Sequence, residues 1–341
     1  MSIGELPSEA SKARQVPPID PELARALAPR GPARRQLTPA DLAEWQQRDA
    51  ATRPRPTVRE LQADGRFEVT ELRAPGTRGG LDGGGDVTLV SARPAGTTGP
   101  LPLLYYLHGG GLIGGNAWSV VPWVLRTLAV PLNLAVLSVE YPLAPRARYP
   151  EPLEACHTGL RWAADHAGDL GLDADRIILA GKSAGGGLAA ALALLTRDRG
   201  GPQPLGQLLL SPMLDDRGTT YSSHQMDGHD TWDRTSNATA WQAALGDRHG
   251  AADLPLYAAP ARARSTDLSA LPPAYLDVGS AETFRDEVVA YANALWQAGG
   301  EAELHVWPGA CHGFDTLAPG AAVSLDAGEA RTRWLRRLLA R

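Results

Sequence analysis

This 341-residue sequence predicts an α/β fold built on a mostly parallel central sheet with helices on both faces. Short apolar runs recur at residues 101–107, 134–139, 176–180, 207–210, 274–278 and 303–306. They are continuous rather than alternating, which is the pattern of strands buried on both faces. Helical stretches at 153–165, 184–197, 285–297 and 329–339 fall between or after them, and strand–helix alternation marks parallel crossovers. Ligands in such sheets bind beyond the carboxyl ends of the strands, so chemistry is expected in the residues that follow each apolar run.

Residues 1–60 are rich in Pro, Arg and Ala and hold two helix starts. One is Asp20-Pro21-Glu22. The other is Thr38-Pro39-Ala40-Asp41, with Thr38 as N-cap and Pro39 in the first turn. Alternation at 67–72 and 87–90 predicts two further strands, joined by a glycine-rich hairpin turn at 79–85. The run 101–107 leads into His108-Gly109-Gly110-Gly111, whose glycines leave backbone N–H groups unobstructed. Asn116-Ala117-Trp118 does not read as a prompt helix start. With His108, this argues against a dinucleotide-binding G-x-G-x-x-G at residues 109–114.

The run 176–180 stops at Gly181-Lys182-Ser183-Ala184-Gly185, and an alanine-rich helix begins at once. This is the G-x-S-x-G nucleophile elbow, a tight strand-to-helix turn that presents one serine hydroxyl at the end of the sheet. Its glycines are needed because a side chain there meets the neighbouring strand and helix. Arg176 stands where a phosphate-binding loop requires its first glycine, so Gly181-Lys182-Ser183 is not the end of one.

Residues 215–270 break the rhythm with many polar and aromatic side chains. They are expected to form an insertion that, with residues 1–60, makes a helical cap over the strand ends, leaving the rest of 61–341 as the catalytic domain. Glu282 follows the run 274–278, and His312 follows 303–306, so both are expected at the edge that carries Ser183. The chain order serine, acid, histidine fits a catalytic triad. In it His312 takes the serine proton and Glu282 orients the imidazole and stabilises its cation. Asp277 and Asp286 are the alternative acids, the first inside its strand and the second beside Arg285.

A net charge of -5 without a basic block argues against nucleic acid or an anionic membrane as partner. No apolar run reaches the ~18 residues of a membrane span. The N-terminus lacks a secretory pattern, so a cytoplasmic location is expected. Cys156 and Cys311 alone make neither a disulfide framework nor a metal cluster, and neither metal nor cofactor is expected. Lysine occurs at Lys12 and Lys182 only, against 31 arginines, so Lys182 beside the nucleophile does not reflect general abundance. Trp118, Lys182 and Trp232 are expected to line the substrate pocket. Lys182 would either favour an acidic ester or fix the elbow through a carboxylate such as Glu140.

H-G-G-G at 108–111, G-x-S-A-G-G at 181–186, an acid ahead of Phe284-Arg285-Asp286-Glu287 and H-G-F at 312–314 resemble the hormone-sensitive-lipase-like (family IV) branch of the α/β-hydrolases, a family of carboxylesterases. Segments 140–145, 149–152 and 256–260 are similar to family segments as well, and the likeness covers roughly residues 60–340. It implies an α/β-hydrolase fold with a helical cap and a serine carboxylesterase acting on small or soluble esters through an acyl-enzyme on Ser183. The oxyanion would be held by the N–H groups of Gly109, Gly110 and Ala184. This chain departs from the family pattern at Lys182, where Asp is usual, at Glu282, where many members have Asp, and at Pro142, where Arg is common. Competing readings are a natural-product deacylase or acyl-transfer enzyme with the same triad, and a ligand-binding member that has lost catalysis. The expected partner is a small-molecule ester, with homodimer formation left open.

Overall fold

The computed structural model describes residues 15–30, 36–76 and 85–341. Every strand expected from the sequence is present: β1 (Phe67–Ala74), β2 (Val87–Pro94), β3 (Leu101–Leu107), β4 (Ala135–Glu140), β5 (Leu172–Lys182), β6 (Gly206–Leu210), β7 (Ala274–Gly279) and β8 (Ala302–Trp307). They make one eight-stranded sheet in the order β1-β2-β4-β3-β5-β6-β7-β8. β1 and β2 form an antiparallel ribbon, β2 pairs antiparallel with β4, and the remaining pairs are parallel. The turn expected at 79–85 lies outside the described residues, apart from Gly85 at its end.

Among the described residues the α-helical segments are α1 (Pro21–Leu27), α2 (Leu42–Thr52), α3 (Val58–Leu61), α4 (Ala117–Val124), α5 (Glu151–Asp165), α6 (Ala167–Leu170), α7 (Ala184–Arg199), α8 (Tyr221–Gln225), α9 (Arg234–Leu245), α10 (Arg285–Gln297), α11 (Phe314–Leu317) and α12 (Ala322–Leu339). Successive strand residues point to opposite faces of the sheet, and β3 shows the consequence. Leu103, Tyr105 and Leu107 join a core with α5, α7 and α10, whereas Leu104 and Tyr106 join a second core with α4 and α12. Both faces are thus covered, as the continuous apolar runs require. No helix among the described residues is long and apolar enough to cross a membrane.

α4 corrects one expectation. Asn116 caps it, its side-chain oxygen accepting from Ser119 N–H at 2.8 Å, and the helix starts promptly at Ala117. Short polar caps of this kind do start helices. The dinucleotide reading does not return with it, because the Glu140 carboxylate accepts from Ala117 N–H at 2.6 Å and is occupied in capping that helix.

The two segments outside the regular alternation meet each other. Gln36 Nε2 donates to Asp227 Oδ1 at 2.9 Å, Leu37 N–H to Ser236 Oγ at 3.0 Å, and Thr239 Oγ1 to the Leu37 carbonyl at 2.8 Å. α2 reaches the sheet edge, where Gln46 Nε2 donates to the carbonyls of Ile113 and Ala144 at 2.7 and 2.9 Å. α1 lies apart from this junction: Leu23 packs with Ala310, Cys311 and Phe314 around the segment that carries His312.

Candidate active site

β5 runs into Ser183 at φ 58° and ψ −123°, a backbone conformation that side-chain-bearing residues rarely adopt. Neighbouring strands hold it there. Ser183 N–H donates to the Leu210 carbonyl at 2.8 Å, and its carbonyl accepts from Met213 N–H at 3.0 Å. A Cβ at Gly185 would lie 2.0 Å from the Leu107 carbonyl oxygen, so only glycine lets α7 pass this close to β3. The elbow read from the sequence is present.

The turn after β3 lies against this serine. A Cβ at Gly109 would stand 3.4 Å from Ser183 Cβ, and Gly110 adopts φ +129° with its Cβ position filled by the Gly114 carbonyl. The His108 ring, buried and stacked on Tyr141 at 4.1 Å, anchors the turn, and the Tyr141 hydroxyl donates to the His108 carbonyl at 2.6 Å. Burial drives the His108 imidazole down to about 4, so it is neutral at physiological pH and acts as a packing plate. From α2, Asp49 Oδ2 accepts Gly115 N–H at 2.8 Å and fixes the far side.

Three distant side chains converge on this edge. His312 Nε2 lies 2.9 Å from Ser183 Oγ, and His312 Nδ1 lies 2.7 Å from Glu282 Oε1. Glu282 is fully buried, and its second oxygen accepts from Gly279 N–H at 2.8 Å and Ser211 Oγ at 3.0 Å. The carboxylate is thereby fixed with one oxygen aimed at the imidazole. Because that oxygen accepts, Nδ1 carries the ring proton and Nε2 is left to accept from the serine hydroxyl. The alternative acids are engaged elsewhere: Asp277 pairs with Arg331 at 2.6 Å, and Asp286 accepts from Ser222 N–H and from Arg285.

Ser183 opens into a cavity of about 600 Å³ walled by Trp45, Tyr106, Trp123, Lys182, Trp232 and Leu317. Of the three residues expected at the pocket, Trp232 and Lys182 line this cavity. Trp118 does not. It lines a separate groove with Leu61, Val69 and Val90, and its ring carries the Arg55 guanidinium at 4.9 Å. Five residues along a helix turn a side chain by about 140°, so α4 presents Ser119, Val120 and Trp123 to the cavity and Trp118 to the β1–β2 ribbon. Trp45 and Tyr106 were missed by sequence reasoning. Thr38, expected as the N-cap, makes no cap bond to the backbone: its hydroxyl donates to Asp41 Oδ2 at 2.6 Å, a 3-10 turn at Pro39–Asp41 intervenes, and α2 begins at Leu42, so nothing at that start says which face meets the site.

Lys182 has a different partner from Glu140. Its ammonium pairs with Asp315 and donates to Thr316 Oγ1 at 2.7 Å, with the Trp123 ring centroid 5.1 Å away. Asp315 also binds Arg331, which in turn holds Asp277. Burial alone would raise the Asp315 carboxyl, but Lys182 and Arg331 outweigh it and hold the group well below the ordinary carboxylate range. The two cations and two carboxylates cancel, so Lys182 offers no unbalanced charge to an anionic substrate.

Asp315→Ala strips Lys182 of its carboxylate partner and leaves Arg331 with Asp277 alone, and a loss of about 3–5 kcal/mol is expected in urea unfolding at pH 7. The depressed folded-state pKa means that this stabilisation is present above about pH 4 and disappears as the pH falls further. The gap between wild type and variant should therefore close on acidification.

A family profile described as the alpha/beta hydrolase fold matches residues 104–316. The chain is 35% identical to "Carboxylesterase NlhH" of Mycobacterium tuberculosis over 265 residues, covering 76% of this chain and 82% of that protein. It is 34% identical to "Esterase LipI" of the same organism, covering 67% and 71%. Among solved structures, "Bacterial Heroin Esterase" superposes with a TM-score of 0.82 at 36% identity, covering 94% of this chain and 98% of that one. Esterase LipW from Mycobacterium marinum gives 0.82 at 31%, covering 95% and 98%. Sheet order, elbow and superposition together define an α/β-hydrolase. The chain belongs to that fold family, in its hormone-sensitive-lipase-like (family IV) carboxylesterase branch.

Proposed function

We propose that this carboxylic ester hydrolase is a serine carboxylesterase that cleaves small or soluble esters through an acyl-enzyme on Ser183. The observation that carries the proposal is the unbroken line Glu282–His312–Ser183, with links of 2.7 and 2.9 Å, at the wall of the aromatic cavity. Relatives named carboxylesterase and esterase support ester hydrolysis as the reaction.

In the acylation step Ser183 Oγ attacks the ester carbonyl while His312 Nε2 takes its proton. Glu282 stabilises the imidazolium that forms. Negative charge grows on the carbonyl oxygen, and the N–H groups of Gly109, Gly110 and Ala184 would receive it, each such donor being worth roughly 3 kcal/mol. His312 then protonates the departing alkoxide. Water, deprotonated by the same imidazole, attacks the acyl-enzyme and releases the acid. The segment around α2 and residues 215–270 would act as the cap, since Trp45 and Trp232 from these two regions meet edge to face at 6.2 Å in the cavity wall.

A series of p-nitrophenyl esters of increasing acyl length tests this. Acetyl to hexanoyl esters should be turned over well, and chains of ten or more carbons at least about tenfold more slowly, because three tryptophans wall a cavity of about 600 Å³. Preference for the longest chains, or no turnover of any ester, would remove the proposal.

A further inference from the structure

One buried carboxylate beside the triad has no part in the chemistry above. Asp230 lies on the bend at 228–233 that precedes α9, in the inserted segment, and is 7% exposed. Its Oδ1 accepts from the backbone N–H of His312 at 3.0 Å, and its Oδ2 accepts from the backbone N–H of Thr283 at 2.8 Å. A single carboxylate therefore spans the residue that bears the base and the residue next to the acid Glu282.

The same bend makes two reciprocal bonds. Thr231 Oγ1 donates to the His312 carbonyl, so His312 is gripped at both its N–H and its C=O. Thr283 Oγ1 donates to the Trp232 carbonyl at 2.8 Å. Three consecutive residues, 230–232, thus tie the two loops after β7 and β8 together at the point where the imidazole and its carboxylate must stay aligned. The third of them also walls the cavity: the Trp232 ring lies over Gly111, whose Cβ position is 2.6 Å from it.

The geometry points to Asp230 as a positioning residue for the triad, which locks His312 and Glu282 in register and makes their alignment depend on docking of the inserted segment. This inference rests on the proposed serine-esterase chemistry and adds to it. Orientation errors of about 1 Å at a catalytic base cost on the order of 100-fold in rate, which is the scale on which such a clamp acts. Electrostatics reinforce the geometry. The titratable groups facing Asp230 are Glu282 from the β7–α10 loop and His312 from the β8–α11 loop, with His229 and Asp233 on its own bend. Burial first, and then the Glu282 charge, push the Asp230 carboxyl up to about 6, while His312 opposes them. Above that pH a second negative charge stands beside the imidazole and favours its cation.

The test compares wild type with Asp230→Asn, Thr231→Val and Ser183→Ala, using p-nitrophenyl acetate and counting intact sites by fluorophosphonate titration. Asparagine keeps the size of the side chain but cannot accept at both ends. Asp230→Asn should lower kcat per titrated site by about 10- to 100-fold with KM within about threefold of wild type. It should also move the acid limb of the pH–kcat/KM profile to lower pH, because an anion has left the imidazole's surroundings. A residue that only supports the fold would change neither the per-site rate nor the acid limb. Thr231→Val should lower per-site kcat about three- to tenfold, and it decides the matter if Asp230→Asn does not fold. Per-site kcat within about twofold of wild type in the folded variants would overturn the positioning role while leaving the esterase proposal intact. Turnover by Ser183→Ala would instead overturn the esterase proposal itself.

Discussion

Replacing Ser183 by alanine should lower kcat/KM for p-nitrophenyl acetate by about 10⁵–10⁶-fold, the largest effect expected of any single substitution in this chain. The loss is confined to chemistry. Alanine removes one oxygen from a small buried side chain, and the strained turn around it is held by backbone bonds to Leu210 and Met213 that the substitution leaves in place. His312 keeps its bond to Glu282, so the base stays oriented with no nucleophile to activate. The proposed oxyanion donors and the cavity persist, which is why a residual acceleration over water should survive. Melting temperature and ester affinity should stay near wild type. Unaltered turnover in this variant would mean that another group attacks the ester.

Glu282→Gln should reduce kcat by about 10⁴-fold with little change in KM, by a mechanism different from loss of the nucleophile. Glu282 now accepts three bonds, from Gly279 N–H, from Ser211 Oγ and from the ring N–H of His312. An amide has one oxygen. If that oxygen serves Gly279 and Ser211, the NH₂ group faces Nδ1 and forces the imidazole into the other tautomer. Nε2 then carries a proton and points it at Ser183 Oγ, 2.9 Å away, where an acceptor is required. The imidazolium that forms during attack also loses its counter-charge. Single-turnover kinetics should show the acylation step slowed and substrate binding nearly unchanged. A kcat within about tenfold of wild type would show that another carboxylate supports the histidine.

The architecture was legible in the sequence because its central strands are buried on both faces, whereas the edge strand β8, with Glu303 and His305 in it, is only half-buried. A parallel strand under two helical layers must be apolar at nearly every position, and each such run in this chain became a strand. Boundaries were less legible. α12 begins at Ala322 rather than near residue 329: Val323 and Ala327 are buried at helical spacing in its first turns, but Ala321 has no polar side chain to cap them and so nothing marks the start. Elbow, glycine turn, acid and histidine could be read because each follows a strand end, so topology alone brings them to one edge.

Side-chain partnerships were not legible. Lys182 meets Asp315 across 133 residues, and Asp230 meets the His312 backbone across 82. Nothing periodic links positions so far apart, and Glu140, though it ends a neighbouring strand, is engaged by Ala117 N–H and not by Lys182. The orientation of Trp118 was lost for a related reason. Its placement depends on where α4 starts, which the Asn116 cap fixes and which the sequence around it does not announce.

The most direct test of the central claim is to find where the acyl group goes. The enzyme is mixed with p-nitrophenyl acetate, quenched in acid within the first turnover, and mapped by peptide mass spectrometry. One acetyl group is expected on the peptide containing Ser183, at that side chain, and none on the same peptide from Ser183→Ala. Acetyl recovered on Lys182, on Cys311 or on no residue, while ester is still being consumed, would contradict the account.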